Sequence, residues 1–302
     1  MLRSDEATKR RSDEGEARSA SSLPAAYRLL PALGLHVTVI SLAVLSLIPF
    51  VWLICATFKT NKDMFEHTFF PWGGLDRLTW GNYSILFAGR PFARWMLNSL
   101  FVTSAQTALV VTLSSLGGFA LAKYKFAGKK PLMLLMLATM LLPAQVLLPS
   151  GYELMYHFGW LDSYAAIIVP GAVSVFGIFL FRQAMMAVPD ELLQAGRVDG
   201  CSELRLWWEV ALPIVRPMIG AYTLLSFMGT WNSFLWPQIV LQDPGKYTLP
   251  IGLANMIGMP TYDTPYGVLM AGTLLSITPV AVLFFILQRD FISGLASGAV
   301  KG

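Results

Sequence analysis

Residues 33–57 read LGLHVTVISLAVLSLIPFVWLICAT and contain no Asp, Glu, Lys or Arg. A helix needs about 20 consecutive apolar residues to cross the hydrocarbon core of a bilayer, and this run is longer than that. Five further apolar runs follow at about 95–121, 132–151, 164–181, 217–241 and 266–288. The pattern therefore predicts an all-α integral membrane protein with six transmembrane helices.

The composition of the whole chain agrees with a location in the bilayer. Hydrophobic residues make up 55% and charged residues 13% of the 302 positions, and the mean hydropathy is +0.57. Soluble domains carry about 25% charged residues. The fourth run is the shortest and contains Gly171 and Gly177, so five spans plus one re-entrant segment is the alternative reading.

The positions of the basic residues predict the orientation, because loops rich in Lys and Arg are retained in the cytoplasm. With the N-terminus inside, the inner segments hold 16 Lys and Arg (six, four, four and two) and the outer segments hold 6. Both termini are therefore expected in the cytoplasm. Residues 1–30 are expected to be a disordered tail because they have few large apolar residues, with a membrane domain at 31–290 and a C-terminal cytoplasmic tail at 291–302.

The six runs lack the side chains that several functions need. They contain no Asp, Glu, Lys or Arg, whereas ion-coupled pumps and proton relays place ionisable groups in the membrane. The histidines His36, His67 and His157 are scattered and form no His-Glu-x-x-His motif. Cys55 and Cys201 lie far apart, so neither a disulfide framework nor a zinc site is implied. We predict no catalytic, cofactor-binding or metal-binding residue, and hence a protein that is not an enzyme.

Nucleotide binding is also not expected in this chain. The sequence Gly128-Lys129-Lys130-Pro131 fails both the spacing and the Ser/Thr requirement of the Walker A phosphate loop, and Gly245-Lys246-Tyr247 fails them as well. If ATP drives this protein, another chain binds it.

A different pattern lies between the fourth and fifth runs, where residues 189–213 read PDELLQAGRVDGCSELRLWWEVALP. It predicts two short helices around a turn at Asp199-Gly200, where glycine can adopt a positive φ, with Ser202 starting the second helix. The small residues Ala195 and Gly196 sit among apolar neighbours, which favours close approach to another protein. The alternative is a hairpin that lies along the membrane surface and contacts no partner.

These residues carry a family resemblance. The run Pro189-x-Glu191-Leu192-x-Gln194-Ala195-Gly196-x-Val198-Asp199-Gly200-Cys201-Ser202, followed by Leu212-Pro213 and Arg216-Pro217, resembles the EAA loop of permease subunits of binding-protein-dependent ABC importers. The stretches 94–100, 231–237, 247–250 and 294–302 resemble the MalG-like carbohydrate branch of that family, so the resemblance covers nearly everything after the tail. The chain departs from the pattern at Gln194, where Glu is usual, and at Gly196, where a second Ala is usual.

The resemblance implies the type I permease fold, with a cytoplasmic coupling loop at 188–217 between spans four and five, in a bacterial inner membrane. It implies four kinds of partner: a second permease that is a different chain, two ATP-binding subunits that hold ATP-Mg, an extracytoplasmic solute-binding protein, and the lipid bilayer; no nucleic acid is expected. The residues implied in contact with an ATPase subunit are Glu191, Leu192, Gln194, Ala195, Gly196, Arg197, Asp199 and Gly200. The expected function is a permease subunit of an ATP-driven sugar importer, and the alternative is an ATP-independent secondary transporter or channel for a neutral solute.

Uncharged polar and aromatic residues in the apolar runs are the candidates for solute contact, since sugars are bound through hydrogen bonds and ring stacking. They are Asn98, Gln106, Gln145, Trp231 and Asn232. Each has an alternative reading, because polar side chains in membranes commonly bond between helices and tryptophans commonly lie at the interface. By resemblance, the loop at about 242–265 faces the binding protein and the terminal 294–302 contacts the ATPase subunits.

Overall fold

The computed structural model describes residues 25–67, 69, 78–257 and 265–299, and all regular structure within those ranges is helical. The chain divides into two compact units, one ending at Cys55 and the other beginning at Ala56. The first unit is dominated by helix α1 (Ala25–Thr57), whose apolar side chains between Leu35 and Ile54 are largely exposed. Such a surface is typical of a helix that faces lipid or another protein.

The second unit contains the remaining helices, several of them short. They are α2 (Asn61–Glu66), α3 (Gly81–Ala88), α4 (Phe92–Lys123), α5 (Lys129–Thr139), α6 (Leu148–His157), α7 (Ala165–Ile168), α8 (Val175–Met185), α9 (Asp190–Val198), α10 (Glu203–Leu206), α11 (Leu212–Ile214), α12 (Arg216–Trp231), α13 (Leu235–Val240), α14 (Leu249–Ile257) and α15 (Tyr266–Ala299). Single 3₁₀ turns occur at Ala144–Leu147, Pro170–Ala172 and Pro244–Lys246, and a π turn at Trp207–Ala211.

Three helices in the described ranges are long and apolar enough to cross a bilayer: Gly34–Thr57 within α1, Phe92–Lys123 (α4) and Tyr266–Ile292 within α15. Three more spans result if each of three bent pairs is counted as one: Lys129–Thr139 with Ala144–His157, Ala165–Ala172 with Val175–Met185, and Glu203–Ile214 with Arg216–Trp231. The count of six spans therefore stays a prediction, while the all-helical, apolar architecture is confirmed.

Three of the predicted runs, 132–151, 164–181 and 217–241, are interrupted, and prolines explain the first and the last of these interruptions. The 132–151 run bends by 90° between Thr139 and Ala144, where Pro143 has an extended backbone (φ −62°, ψ 127°). The 217–241 run breaks after Trp231, and a new helix starts with Pro237 in its first turn. Proline has no N–H to donate, so inside a helix it removes a backbone hydrogen bond and favours a kink or a break, whereas in the first turn it is tolerated.

Helices extend past both ends of the predicted membrane domain. Helix α1 begins at Ala25, inside the segment 1–30 that was expected to be a disordered tail, and residues 1–24 lie outside the described ranges. At the other end, α15 continues through Ala299, beyond the expected boundary at residue 290. The contact predicted for the terminal segment thus falls largely on helix, and residues 300–302 lie outside the description.

Helices α4, α8 and α12 pack together around one apolar core. Val110, Phe119, Phe181, Met185 and Tyr222 are buried there. The same core receives buried residues of the 188–217 segment, namely Leu193, Leu206, Trp207, Ala211 and Val215. This segment is therefore an integral part of the helical body, because its apolar side chains are removed from solvent together with those of the long helices.

Candidate functional site

The 188–217 segment has the helix-turn-helix form that its sequence predicts. Pro189 is the residue before α9 (φ −63°, ψ 133°), and the acidic residues Asp190 and Glu191 occupy the first turn, where they complement the helix dipole. Gly200 has φ +85°, which confirms the glycine turn. Ser202 accepts a hydrogen bond from the N–H of Arg205 and so caps α10.

Gly196 is explained by the packing of α9 against α10. A Cβ atom at this position would lie 2.4 Å from Cδ2 of Leu206. Leu206 is itself fully buried, so its side chain has little room to move away. The absence of a methyl group at residue 196, where the resemblance leads one to expect Ala, thus allows the two helices to approach closely.

Three apolar side chains of this segment are exposed. Leu193 points into the core, whereas Leu192, Val198 and Leu204 are 48%, 87% and 67% exposed. The predicted contact residues Glu191, Gln194, Ala195, Arg197, Asp199 and Gly200 are also exposed, and Gly196 is half-buried. Exposed apolar side chains of this size are available for contact with another protein.

A hydrogen-bonded charge cluster joins the two helices of the segment to the end of α4. Arg197 binds Glu203 in a bidentate manner, at 2.7 Å from Nε to Oε1 and 3.1 Å from Nη2 to Oε2. The Tyr124 hydroxyl donates to the same carboxylate. The guanidinium of Arg197, and then the Tyr124 hydroxyl, lower the pKa of Glu203. Burial, with a further contribution from Glu203, raises the pKa of Tyr124.

A second link joins α4 to the beginning of α9. The ammonium group of Lys123 donates to the carbonyl of Val188 and to Oδ1 of Asp190, the latter at 2.7 Å. The side chain of Lys123 is only 7% exposed, and its hydrogen bond lowers the pKa of Asp190. Sequence reasoning counted Lys123 only as a basic loop residue and missed Tyr124, since no local pattern connects residues 65 or more positions apart.

A cleft of about 520 Å³ lies between α4, α6, the 167–171 turn and the α12–α13 break. It is lined by Gln106, Ala144, Leu147, Leu148, Gly151, Leu154, Met155, Ile167, Pro170, Gly171, Gly229, Thr230, Ser233 and Trp236. These residues are all uncharged. Oε1 of Gln106 is buried and has no hydrogen-bond partner in the described part of the chain.

Of the five residues predicted to contact solute, Gln106 alone lines this cleft. Asn98 instead donates to the carbonyls of Gly245 and Tyr247, and the indole of Trp231 is buried and donates to the Ser276 carbonyl. Asn232 is exposed and bonds back to the Met228 carbonyl, and Gln145 is exposed beside the cleft without lining it. The placements of Asn98 and Trp231 favour the structural reading, because their polar groups are already used to join separate parts of the chain, and solute contact by Asn232 or Gln145 stays a prediction.

The loop that Asn98 holds is also clamped by Asp162. This residue has φ +55°, accepts the N–H groups of Gln242 and Asp243 at 3.0 Å each, and pairs with Lys246 at 2.6 Å. The backbone N–H of Asp243, the Lys246 ammonium and the N–H of Gln242 together lower the pKa of Asp162 to about 2. The remainder of the predicted 242–265 contact loop is partly helical (α14), and residues 258–264 lie outside the described ranges.

Comparison with known proteins assigns this architecture to a family. The family described as "Binding-protein-dependent transport system inner membrane component" matches residues 114–295, a range that includes the whole 188–217 segment. The chain belongs to this family. It is therefore the membrane component of such a transport system, which confirms the family predicted from the EAA-like run.

Relatives of this inner membrane component span almost the whole of its length. The arabinooligosaccharides transport system permease protein AraQ of Halalkalibacterium halodurans is 34% identical over 263 residues, which is 86% of this chain and 93% of AraQ. The lactose transport system permease protein LacG of Rhizobium radiobacter is 32% identical over 272 residues, with 87% and 94% covered.

The fold of this inner membrane component is that of a solved ABC transporter. A chain of a bacterial ABC transporter involved in the import of the acidic polysaccharide alginate superposes with a TM-score of 0.77 at 20% identity, covering 89% of this chain and 99% of that one. The helical permease fold predicted from the sequence is thereby confirmed.

Proposed function

We propose that this chain is the permease subunit of an ATP-driven sugar importer, with the 188–217 segment as its contact with a cytoplasmic ATPase subunit. The observation that carries the proposal is the form of that segment. It is anchored in the core through Leu193 and Leu206, and it leaves the apolar side chains of Leu192, Val198 and Leu204 exposed. Exposed apolar side chains on a rigidly held segment are suited to pack into a cleft of another protein.

The proposed complex joins this chain to three further kinds of component. A second permease, a different chain, completes the pathway; two ATPase subunits bind ATP-Mg; and an extracytoplasmic binding protein delivers the solute. The excess of Lys and Arg on one set of loops supports cytoplasmic termini, which places the 188–217 segment on the side where ATP is available. The alternative of an ATP-independent transporter finds no support in the family assignment.

Sugar is the solute class that the cleft and the relatives support. The residues that line the cleft are uncharged, and two relatives are named for arabinooligosaccharides and lactose. Gln106 supplies a carbonyl oxygen that can accept a hydrogen bond from a sugar hydroxyl. We therefore propose that solute passes the cleft and contacts Gln106.

Docking is tested by purifying the chain with its ATPase subunits and measuring ATP hydrolysis and solute uptake in proteoliposomes. Val198→Asp places a charge on the most exposed of the three apolar residues, so we expect at least tenfold less ATPase subunit in the purified complex. Val198→Ile keeps the surface apolar and is the matched control. A Val198→Asp protein that assembles and transports like the parent would refute docking through these side chains.

Solute contact is tested separately by the concentration dependence of uptake. Gln106→Leu removes the unpaired oxygen and is expected to raise the KM several-fold with little change in assembly, because only a contact in the pathway is lost. Asn232→Leu alters an exposed residue outside the cleft and is expected to leave the KM unchanged. Equal KM values for the parent and the Gln106 variant would remove Gln106 from the pathway.

A further inference from the structure

We propose that α4 transmits movement of the 188–217 segment to the cleft, and that Lys123 and Tyr124 are the positioning residues that fasten the segment to it. The inference rests on the proposed function and extends it, because it assigns the transmission to a helix that is remote in sequence from the segment. The chain itself connects the segment only to α8 and α12. The connection to α4 is made by side chains.

The two positioning residues hold opposite ends of the first helix in the segment. Lys123 binds Val188 and Asp190, where α9 begins. Tyr124 binds Glu203, which in turn holds Arg197 in the last turn of α9. One end of α9 is linked to Lys123, the last residue of α4, and the other to Tyr124, the residue that follows it. The helix therefore cannot tilt in either direction without displacing the end of α4 or breaking a link.

The burial of the Lys123 side chain makes its hydrogen bonds to the 188–217 segment necessary. Its side chain is 7% exposed, whereas that of its partner Asp190 is 70% exposed. A buried ammonium group requires acceptors, since an unpaired charge removed from water is strongly unfavourable. Both acceptors given to it by the structure, the Val188 carbonyl and the Asp190 carboxylate, belong to the 188–217 segment.

Helix α4 offers an uninterrupted route to the cleft. It runs from Phe92 to Lys123 without a break, and Gln106 is about 25 Å from Lys123 along its axis at 1.5 Å per residue. The route through α12 crosses an 87° bend at Val215, and the route through α8 continues into a 41° bend. Movement is carried better by an unbroken helix than across a bend, where the backbone can flex.

Helix α4 is also locked against α8 close to these links. The backbone of Gly118 approaches Phe181 and Arg182 so closely that a Cβ atom would lie 2.5 Å from Cβ of Phe181. The end of α4 therefore moves as one body with the helix that leads into the segment. A body with two discrete arrangements would change both the ATPase contact and the shape of the cleft when it moves from one arrangement to the other. Coupling between two sites requires such a shared two-state element.

The test measures the number of ATP molecules hydrolysed per solute imported by the reconstituted complex with its binding protein. Tyr124→Phe removes one hydroxyl group, and Lys123→Met removes the charge at similar length. We expect each to raise the ratio at least threefold, while the amount of ATPase subunit in the complex and its Tm stay close to the parent values. Lys123→Arg keeps a cation and is expected to restore most of the parent ratio.

Lys125→Met is the matched control, because it makes the same charge change at an exposed lysine two residues further on. An unchanged ratio in Tyr124→Phe and in Lys123→Met, or the same increase in Lys125→Met, would overturn the inference. If Lys123→Met does not assemble, Tyr124→Phe decides the outcome alone. A parent complex whose ATP hydrolysis is not stimulated by the loaded binding protein would instead refute the proposed function, and the inference with it.

Discussion

Replacing Gly118 by alanine tests the packing of α4 against α8 directly. A Cβ atom at this position would lie 2.5 Å from Cβ of Phe181, 2.7 Å from the backbone nitrogen of Arg182 and 2.8 Å from the carbonyl carbon of Phe181. Carbon atoms in contact are ordinarily about 3.5–4.0 Å apart. Since these neighbours are backbone or Cβ atoms, no change of rotamer relieves the overlap, and the helices must separate by about 1 Å.

The expected magnitude follows from two opposing effects. Alanine is favoured over glycine inside a helix by about 1 kcal/mol, whereas overpacking costs about 1–3 kcal/mol. Gly117→Ala is the matched control in the same helix, because its Cβ would meet only the flexible side chain of Ile178 at 3.2–3.4 Å. Both variants gain the higher helix propensity of alanine, and only Gly118→Ala also suffers the overpacking. Its free energy of unfolding is therefore expected to be lower than that of Gly117→Ala by about 1–3 kcal/mol.

Thermal denaturation of the two variants in the same detergent, followed by the loss of monodisperse protein, measures this difference. At about 2–4 °C per kcal/mol, the Tm of Gly118→Ala is expected to lie about 2–12 °C below that of Gly117→Ala. Equal Tm values, or a higher value for Gly118→Ala, would refute the close approach of the two helices and the locked end of α4 that depends on it.

Two further predictions concern single residues. Gly200→Ala is expected to lower the Tm, because a backbone with φ +85° costs a non-glycine residue about 1–2 kcal/mol and no atom lies near enough to the new methyl group to compensate. Gly229→Ala is the control: it lies in a helix with equally open space around it, so the higher helix propensity of alanine is expected to raise the Tm. Asp162→Asn is expected to lower the Tm at pH 7, where the carboxylate is held by the Asp243 N–H and by Lys246. Because the folded pKa of about 2 lies below the ordinary 3.8, this stabilisation is complete above about pH 4 and declines toward pH 2. The Tm difference between parent and variant should therefore shrink from pH 5 to pH 3, and a constant difference would contradict the assignment.

The sequence by itself determined the features that depend on local composition. Apolar runs of spanning length identified a helical membrane protein. The acidic first turn of α9, the glycine turn and the serine cap were readable because each is decided by residues within four positions of one another. The family was readable from the same short stretch, and the structure and the relatives confirm it.

The tertiary structure alone decided which polar groups meet. Lys123 and Asp190 are 67 positions apart, and Asn98 lies 147 positions from the carbonyl of Gly245. The type of a polar residue in an apolar run shows that it needs a partner, but many partners satisfy the same need. Which one is used depends on how separate helices pack. For this reason Asn98 and Trp231 proved to join parts of the chain, Gln106 alone reached the cleft, and the links from α4 to the 188–217 segment appeared only in the folded protein.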